Sequence, residues 1–436
     1  MGETPAPGDI PGLTEHLFRQ EAGKLVSVLT GIFGIDRLQL AEDVVQDAMI
    51  RALQTWPYYG VPANPAAWLM QTAKHRALDV IRRERFFHDK QSEITIAIGE
   101  RLSEEEETPR FDDEIKDDRL RLMFACCHPN ISHEAQTALA LKMLCGFSPA
   151  EIASAFMTTE AAIAKRLTRA RHSIREMGIP FEIPTGEELS SRLNSVLQIL
   201  YLLFNEGYKA SSGESLIREE LCEQAIQLGR LLAGHPAANQ PRTHALVALM
   251  LLNASRLRSR TDREGNILRL KDQDRTTWDR QMIGQGLLHL GQAAAGEELS
   301  EYHLQAGIAA CHATAATFAL TDWPRILAHY DAWAKINDSP IIALNRAVAL
   351  AKVAGTPAGI AAVKAILSRG QLKSYYLAYA VLGEFEAEMG QYQAASTYFQ
   401  KALQHSEVKI EQSFLEERMR DPEGRFRPPS PIIPDF

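Results

Sequence analysis

The chain has 436 residues, 45% of them hydrophobic and 23% charged, and its formal net charge is −8 at pH 7. This length exceeds what one small core accommodates, so we expect two or three domains. The negative charge excludes a protein that coats nucleic acid along its whole length, so any contact with DNA must be local.

Composition indicates a helical protein. Ala, Leu, Gln and Glu are abundant, and no stretch alternates Val, Ile and Thr convincingly, so we predict an all-α fold. The longest apolar run, at 244–252, is too short to cross a membrane. Residues 1–12 are rich in Pro and Gly, lack the basic and apolar regions of a signal peptide, and are expected to be disordered. Five irregularly spaced cysteines do not indicate a disulfide framework, which fits a soluble protein of a reducing cytoplasm.

Residues 13–88 are predicted to form a compact helical domain. One of its helices, at 40–56, has an apolar face at helical spacing, and Pro57 is expected to end it. The opposite side carries two acids, an amide and an isoleucine: Asp43, Gln46, Asp47 and Ile50. Such a mixture is typical of a protein-docking surface, although a solvated face with one stray apolar residue explains it as well.

A second helix of this domain, at 65–86, is basic. Its core side carries Leu69, Ala73 and Ala77. The candidate nucleic-acid residues are one aromatic residue and six polar or charged ones: Trp68, Lys74, His75, Arg76, Asp79, Arg82 and Arg83. A basic helix beside aromatic residues suits unpaired bases, which stack on aromatic rings. Trp68 can also be interpreted as a core residue, which is the more common position of a tryptophan on a helix.

Residues 89–116 are predicted to be an acidic linker. Between Gly99 and Asp118 there are ten acidic and three basic residues. Such a run resists packing and stays extended, so a solvated spacer is the favoured interpretation. The alternative is that the run mimics the phosphates of DNA.

Residues 117–178 are predicted to contain a helix-turn-helix. Ser148, Pro149 and Glu151 have the pattern of a capping box with proline in the first turn, and Thr159 is suited to begin the next helix. The second helix is predicted to bury Ile163, Leu167, Ala170 and Ile174. Its basic outer face suits a DNA major groove, and the alternative is a solvated basic helix in an ordinary bundle.

One cluster upstream of this pair contains residue types that can bind a metal. Cys126, Cys127 and His128 are adjacent, but they lack the usual Cys-x2-Cys spacing, and Cys145 lies in an apolar helix that favours a small buried residue. We therefore expect no metal and no cofactor. The chain also lacks GxxxxGK[ST], HExxH and G-x-S-x-G, so we predict that it is not an enzyme.

Residues 179–187 are predicted to be a hinge before a large helical domain at 188–436. Within it, Tyr376–His405 resembles a degenerate tetratricopeptide repeat, with small residues where paired helices pack closely. Stacked repeats imply a curved solenoid that binds another surface. A helical bundle that only supports the preceding domains is the alternative.

The order of these blocks resembles a bacterial extracytoplasmic-function sigma factor. The matching segments are AEDVVQDAMIRAL, AWLMQTAKHRALDVIRR, the acidic linker and the helix-turn-helix ending in KRLTRARHSIRE. The resemblance implies that core RNA polymerase and promoter DNA are the partners, including the β′ clamp helices and the β subunit. Asp43, Gln46, Asp47 and Ile50 would then dock on the clamp helices.

The same resemblance assigns the DNA-contacting residues. The set from Trp68 to Arg83 given above would melt and read the minus-ten element. The minus-thirty-five element would be read by four residues of the helix-turn-helix: Thr159, Lys165, Arg166 and Arg169.

The C-terminal half resembles the subgroup of these sigma factors that carries a tetratricopeptide-like domain. The segments that match are NEGY at 205–208, QDR at 273–275, YHLQAGIAACH at 302–312 and SPIIALNRAVA at 339–349. The resemblance implies that this domain regulates the sigma core, through an intramolecular contact or a protein partner. The alternative function is a conventional helix-turn-helix regulator with a helical sensor domain, usually a dimer on a palindromic site.

Overall fold

The computed structural model describes residues 10–87, 112–156, 158–209, 217–262, 268–406 and 409–420. Within these ranges the chain forms α-helices joined by short turns and contains no β-strand, which confirms the all-α prediction. None of the helices in these ranges has the length and hydropathy needed to span a bilayer. The chain divides into two compact units, Met1–Ala238 and Asn239–Phe436.

The first unit contains nine of the described helices. They are α1 Ile10–Phe33, α2 Leu38–Tyr59, α3 Pro65–Phe87, α4 Asp112–Cys126, α5 His133–Leu139, α6 Pro149–Ala155, α7 Glu160–Glu176, α8 Gly186–Tyr208 and α9 Glu219–Gly234. A π-helical segment, Ala140–Leu144, continues α5. Of the predicted linker at 89–116, residues 89–111 lie outside the described residues.

Helix α2, at Leu38–Tyr59, is five residues longer than predicted, by two residues at its start and three at its end. Pro57 does not end it, and Tyr58 and Tyr59 form its last residues. Proline has no backbone N–H, so the helix continues through Pro57 without the hydrogen bond that this residue would otherwise donate to the carbonyl four residues earlier. The helix ends at Gly60, whose φ of 82° suits glycine and whose N–H donates to the Trp56 carbonyl at 2.9 Å.

Helix α1 joins the two predicted sigma-like segments into one packed body. It packs against α2, and also against α4 and the π-helical segment. Glycines at Gly23 and Gly31 permit this approach. A Cβ atom at Gly23 would lie 2.0 Å from the Leu144 carbonyl oxygen, and one at Gly31 would lie 3.0 Å from the Asp118 carboxylate. Glycine weakens a helix interior by roughly 0.5–1 kcal/mol relative to alanine, so its presence here is explained by the close contact.

Two boundaries differ from those predicted from the sequence: the start of α4 and the end of the first compact unit. Helix α4 begins at Asp112, inside the predicted linker, since its first turn carries acids that favour a helix N-terminus. Helices α8 and α9 fall in the first unit, although they were assigned to the C-terminal domain. Arg192 of α8 explains part of this difference: it is 1% exposed, and its guanidinium donates to the Phe124 carbonyl at 3.1 Å.

The second unit also contains nine described helices. They are α10 Pro241–Ala254, α11 Arg280–Ala293, α12 Glu301–Thr314, α13 Trp323–Ile336, α14 Pro340–Ala354, α15 Thr356–Ser368, α16 Tyr376–Glu388, α17 Tyr392–His405 and α18 Lys409–Arg420. From α12 onward, each helix packs against the next one in the chain. The order is therefore a series of consecutive helical hairpins.

The hairpin of α16 and α17 shows how these helices come close. Gly383 faces Phe399, and a Cβ atom at Gly383 would lie 2.6 Å from the Phe399 ring. Ala380, Ala395 and Ala402 are buried in the same cluster as Phe399. Small residues thus permit the close packing that the sequence pattern predicted for this pair.

Candidate polymerase and DNA interface

Helix α2 presents the predicted docking residues to solvent. Asp43, Gln46, Asp47 and Ile50 are all exposed, and Ile50 keeps 45% of its accessible surface. The opposite side buries Ala41, Val44, Val45, Ala48 and Ala52 in the core. The helical periodicity therefore places an acidic surface with an apolar residue on the outside of the first unit.

Leu53 extends this surface, and sequence reasoning missed it. It lies three residues after Ile50, so both side chains share a face, and Leu53 is 50% exposed. The available signal was that Leu53 falls outside the apolar face of α2. Partial burial and repulsion from Glu42 raise the pKa of the Asp43 carboxyl above its ordinary value.

Helix α3 presents most of the predicted minus-ten residues. His75, Arg76, Asp79, Arg82 and Arg83 are exposed, whereas Lys74 is half-buried. Arg76 donates to Asp47 of α2 at 2.9 Å, and both side chains are about half exposed. This ion pair joins the predicted DNA-contacting set on α3 to the predicted docking set on α2.

The aromatic residues beside α3 divide into two kinds. Trp68 is half-buried, and its ring packs edge-on against Trp56 with the ring centroids 5.5 Å apart. Trp56 itself is 2% exposed. In contrast, Tyr58 is 84% exposed and Tyr59 is 89% exposed. The two tyrosines are therefore better placed than Trp68 to stack on a base.

Helices α6 and α7 form the predicted pair. The Glu151 N–H donates to the Ser148 hydroxyl at 3.2 Å, and the Ser148 N–H donates to the Glu151 carboxylate at 2.7 Å, which confirms the capping box. Thr159 caps α7 by accepting from the Ala162 N–H at 3.2 Å. The four residues predicted to be buried on α7 are buried: Ile163, Leu167, Ala170 and Ile174.

The outer face of α7 is basic. Lys165 and Arg169 are exposed, as is the capping residue Thr159. Arg166 is partly exposed and pairs with Glu134 of α5 at 2.9 Å. This face therefore carries two exposed cations, Lys165 and Arg169, beside Arg166, which forms an ion pair with Glu134.

Glu42 connects α2 to the segment that contains α7, and sequence reasoning missed it. Its carboxylate lies 3.1 Å from the Lys142 ammonium and also pairs with the Arg171 guanidinium. All three side chains are largely buried, at 12%, 16% and 18% exposure respectively. Nothing in the spacing of single residues indicated this contact, because its partners are separated by about 100 residues or more.

The cysteines have no reactive environment. Cys126, Cys127 and Cys145 are buried, and burial raises the pKa of the Cys126 and Cys145 thiols to about 12. Thiols of this kind stay protonated at neutral pH and are poor nucleophiles. Among the residues that the structure describes, no group of His, Cys, Asp and Glu side chains has the arrangement of a metal site.

Two family models match the chain. Sigma-70 region 2 matches residues 17–87, which contain α2, α3 and most of α1. A family of unknown function, DUF6596, matches residues 192–294, beginning at the buried arginine of α8. No solved structure matches the chain.

Similar proteins cover different parts of the chain. An uncharacterised protein of Rhizobium meliloti, R00370, is 39% identical over 373 residues, which are 84% of this chain and 86% of that protein. The ECF RNA polymerase sigma factor SigL of Mycobacterium tuberculosis is 30% identical over 144 residues, covering 32% of this chain and 77% of SigL. The probable RNA polymerase sigma factor RfaY of Xanthomonas campestris is 29% identical over 137 residues, or 31% of this chain and 33% of RfaY. The chain therefore belongs to the family of RNA polymerase sigma factors.

Proposed function

We propose that this sigma factor is of the extracytoplasmic-function type. It binds core RNA polymerase in the cytoplasm and directs initiation at promoters with minus-ten and minus-thirty-five elements. The observation that carries this proposal is the exposure of most residues in three sets, on α2, α3 and α7, in the chain order of that type. The similarity to SigL, over 77% of its length, supports the same assignment.

Polymerase docking is assigned to α2. An exposed face of acids beside Ile50 and Leu53 combines charge, which speeds association, with apolar area, which contributes affinity. The β′ clamp helices are the surface that we assign to this face. Ile50 and Leu53 supply its apolar centre, and Asp43, Gln46 and Asp47 surround it.

Recognition of the minus-ten element is assigned to α3 and the end of α2. Melted DNA exposes the faces of its bases, and exposed Tyr58 and Tyr59 suit stacking on them. Arg82 and Arg83 lie on the same helix as His75 and suit the phosphate backbone. We assign Trp68 a supporting role, since its ring packs against Trp56.

Recognition of the minus-thirty-five element is assigned to α7, as the second helix of a helix-turn-helix. Lys165 and Arg169 project from the side opposite the buried face, where they can enter a major groove. Thr159 at the helix start suits a phosphate contact, because backbone donors at a helix N-terminus attract anions.

The formal net charge of −8 is compatible with two separate DNA-binding surfaces, on α3 and α7. Neither basic surface has to bind DNA tightly alone, because linking two modest sites raises their combined affinity through effective concentration. Core polymerase supplies much of the remaining contact. The chain therefore needs only local positive charge on α3 and α7.

We assign a regulatory role to the C-terminal helices, which we regard as tetratricopeptide-like. Helix α8 packs against α4 and α5, and its Arg192 is buried against the Phe124 carbonyl. Helix α8 therefore packs directly on the segment that contains α7. It also gives the region that follows it a covalent route to the promoter-reading helices.

Reconstituted transcription tests the proposal. The full chain is added to core polymerase and a library of promoter fragments, and transcript starts are sequenced. We expect starts that share a common sequence pair upstream and that vanish when the chain is omitted. Specific DNA binding without polymerase, combined with no new transcript starts, would instead support the conventional regulator.

A further inference from the structure

We propose that the exposed side of α11 binds α11 of a second copy of this chain, with the two helices antiparallel and related by a twofold axis. This side, the α11 face, is defined by Gly284, Leu287, Leu288 and Gly291. The inference concerns the second unit alone, goes beyond the proposed function and does not depend on it.

Helix α11 packs on the rest of its unit through one side. That side packs mainly against α10 and buries three residues: Ile283, Gly286 and Ala293. On the other side, Leu288 is 71% exposed and its neighbour Leu287 is 37% exposed. Single exposed apolar residues are common on monomeric proteins, whereas contiguous apolar patches indicate contact surfaces. A partner is therefore expected on this side of α11.

The glycines of α11 divide into two kinds. At Gly286, a Cβ atom would lie 2.8 Å from the Leu252 side chain, so contact within the unit explains this glycine. At Gly284 and Gly291, a Cβ atom would extend into open space. Glycine weakens the interior of a helix, and no contact within the described chain requires it at these two positions. Close approach of a second helix explains both glycines, because a residue without a side chain lets another backbone come near.

The spacing of these residues is symmetric. Gly284 precedes Leu288 by four residues and Gly291 follows it by three, so all three share one face of the helix. In an antiparallel pair centred between Leu287 and Leu288, Gly284 of each copy lies opposite Gly291 of the other. The leucines then meet at the centre, and the glycines on both sides let the helices approach. A single self-complementary face suffices for such a twofold contact, which is the commonest arrangement of homodimers.

The charges around α11 favour a second copy in the antiparallel orientation. Residues 281–295 contain no Asp, Glu, Lys or Arg, so two copies of this stretch do not repel each other. Exposed Arg280 precedes the stretch, and exposed Glu297 follows it. Antiparallel pairing brings Arg280 of each copy to the end of the other helix that carries Glu297, whereas parallel pairing places Arg280 beside Arg280. Opposite charges thus meet at both ends of the antiparallel pair.

The size of the α11 face sets the expected strength of the dimer. Helix α11 has 14 residues, which gives a length of about 21 Å. One pair of such helices buries less than the roughly 1,200 Å² at which standard interfaces begin, so the association is weak. We expect a Kd on the order of 10 µM.

The experiment measures the molecular mass of the full chain in solution. Sedimentation equilibrium is recorded over a range of concentrations that extends well below and well above the expected Kd. We expect monomer at the lowest concentrations and dimer at the highest. The measurement needs neither polymerase nor DNA.

A matched pair of substitutions locates the contact. Leu288→Lys places two like charges at the centre of the proposed dimer and is expected to weaken association at least tenfold. Leu320→Lys makes the same change at a leucine of the second unit outside α11 that is 69% exposed, compared with 71% for Leu288. This control variant is expected to dimerise like the parent chain.

Gly284→Gln separates association from folding. Its side chain extends into open space in the monomer, and glutamine favours a helix more than glycine does, so the Tm is expected to rise. The same side chain keeps a second helix at a distance, so the Kd of the dimer is expected to increase about tenfold. A misfolded variant would instead lose both stability and association.

A charge exchange tests the orientation. Arg280→Glu is expected to weaken the dimer, because each new carboxylate then faces Glu297 of the other copy. Arg280→Glu combined with Glu297→Arg exchanges the two charges and is expected to restore association. Failure of the double variant to recover would contradict the antiparallel arrangement.

The remaining outcomes decide the proposal as a whole. A parent chain that stays monomeric at every concentration would overturn it. A dimer that Leu288→Lys weakens no more than Leu320→Lys does would exclude the α11 face as the contact. Binding of the Leu288→Lys chain to core polymerase is measured separately, and its failure would contradict the proposed function rather than the dimer.

Discussion

Arg76 of α3 donates to Asp47 of α2 at 2.9 Å, so the predicted minus-ten surface and the predicted docking surface meet in one ion pair. Both side chains are about half exposed, and exposed pairs of this kind contribute only roughly 0.2–1 kcal/mol. Either residue can therefore leave the pair for an external partner at low cost. The ion pair therefore connects the two surfaces, but it is weak enough for either residue to exchange it for another contact.

Asp47→Ala is expected to weaken binding to core polymerase about tenfold while leaving the fold intact. The side chain is exposed, so its removal creates no cavity, whereas a contact in the docking face is lost. Titration of labelled chain with core polymerase measures the effect. Asp338→Ala, at an exposed acid of the second unit, is the control for the change in charge. Equal affinities of the two variants would exclude this docking face.

The tyrosine pair and Trp68 are expected to behave differently. Tyr59→Ala should reduce binding to melted promoter DNA by about fivefold or more and leave stability unchanged, because the ring is 89% exposed. Trp68→Ala should lower the free energy of unfolding by about 2–4 kcal/mol, because its ring packs on Trp56. Urea denaturation and permanganate footprinting of open complexes distinguish the two effects. A stable Trp68→Ala chain with a specific defect in DNA opening would reverse this assignment.

Arg169→Ala is expected to weaken binding to the upstream duplex element. The side chain is exposed on the basic face of α7. If it contacts a phosphate, the slope of the logarithm of affinity against the logarithm of salt concentration should fall by about one unit. Affinities of reconstituted holoenzyme at several salt concentrations give this slope. An unchanged slope together with lost discrimination between upstream sequences would indicate that Arg169 contacts a base instead.

Truncated chains are expected to distinguish the observed end of the first unit, at Ala238, from the predicted end of the helix-turn-helix domain, at Gly178. A chain that ends at Gly178 loses α8, including buried Arg192 and several buried apolar residues, so it should be less stable by more than about 3 kcal/mol. A chain that ends at Ala238 keeps the whole first unit and should unfold cooperatively. Chemical denaturation followed by circular dichroism compares them. Equal stability of both chains would show that α8 contributes nothing to the first unit.

Sequence patterns predicted local features well and distant contacts poorly. The buried positions of α7 from Ile163 to Ile174 follow from helical periodicity, and the Ser148 cap follows from a pattern of four residues. Glu42 gave no comparable signal, since an acid on a helix is usually solvated and its partners are far along the chain. The burial of Arg192 could not be predicted for a similar reason: a charged side chain usually lies at the surface, but here a backbone carbonyl of α4 accepts its hydrogen bond.

Glycines explain why the boundary between the predicted modules was also difficult to place. Gly23 lies in the middle of a helix, where glycine is normally unfavourable. This glycine is explained by its close contact with the Leu144 carbonyl, and no local sequence pattern indicates that contact. The exposed residues of α2, in contrast, follow directly from the apolar periodicity of that helix.

The affinity of the purified full chain for core RNA polymerase tests the central claim most directly. The expected result is saturable binding that Asp47→Ala weakens and that yields promoter-specific transcripts once DNA is added. Absence of binding by a correctly folded chain would contradict the proposed function.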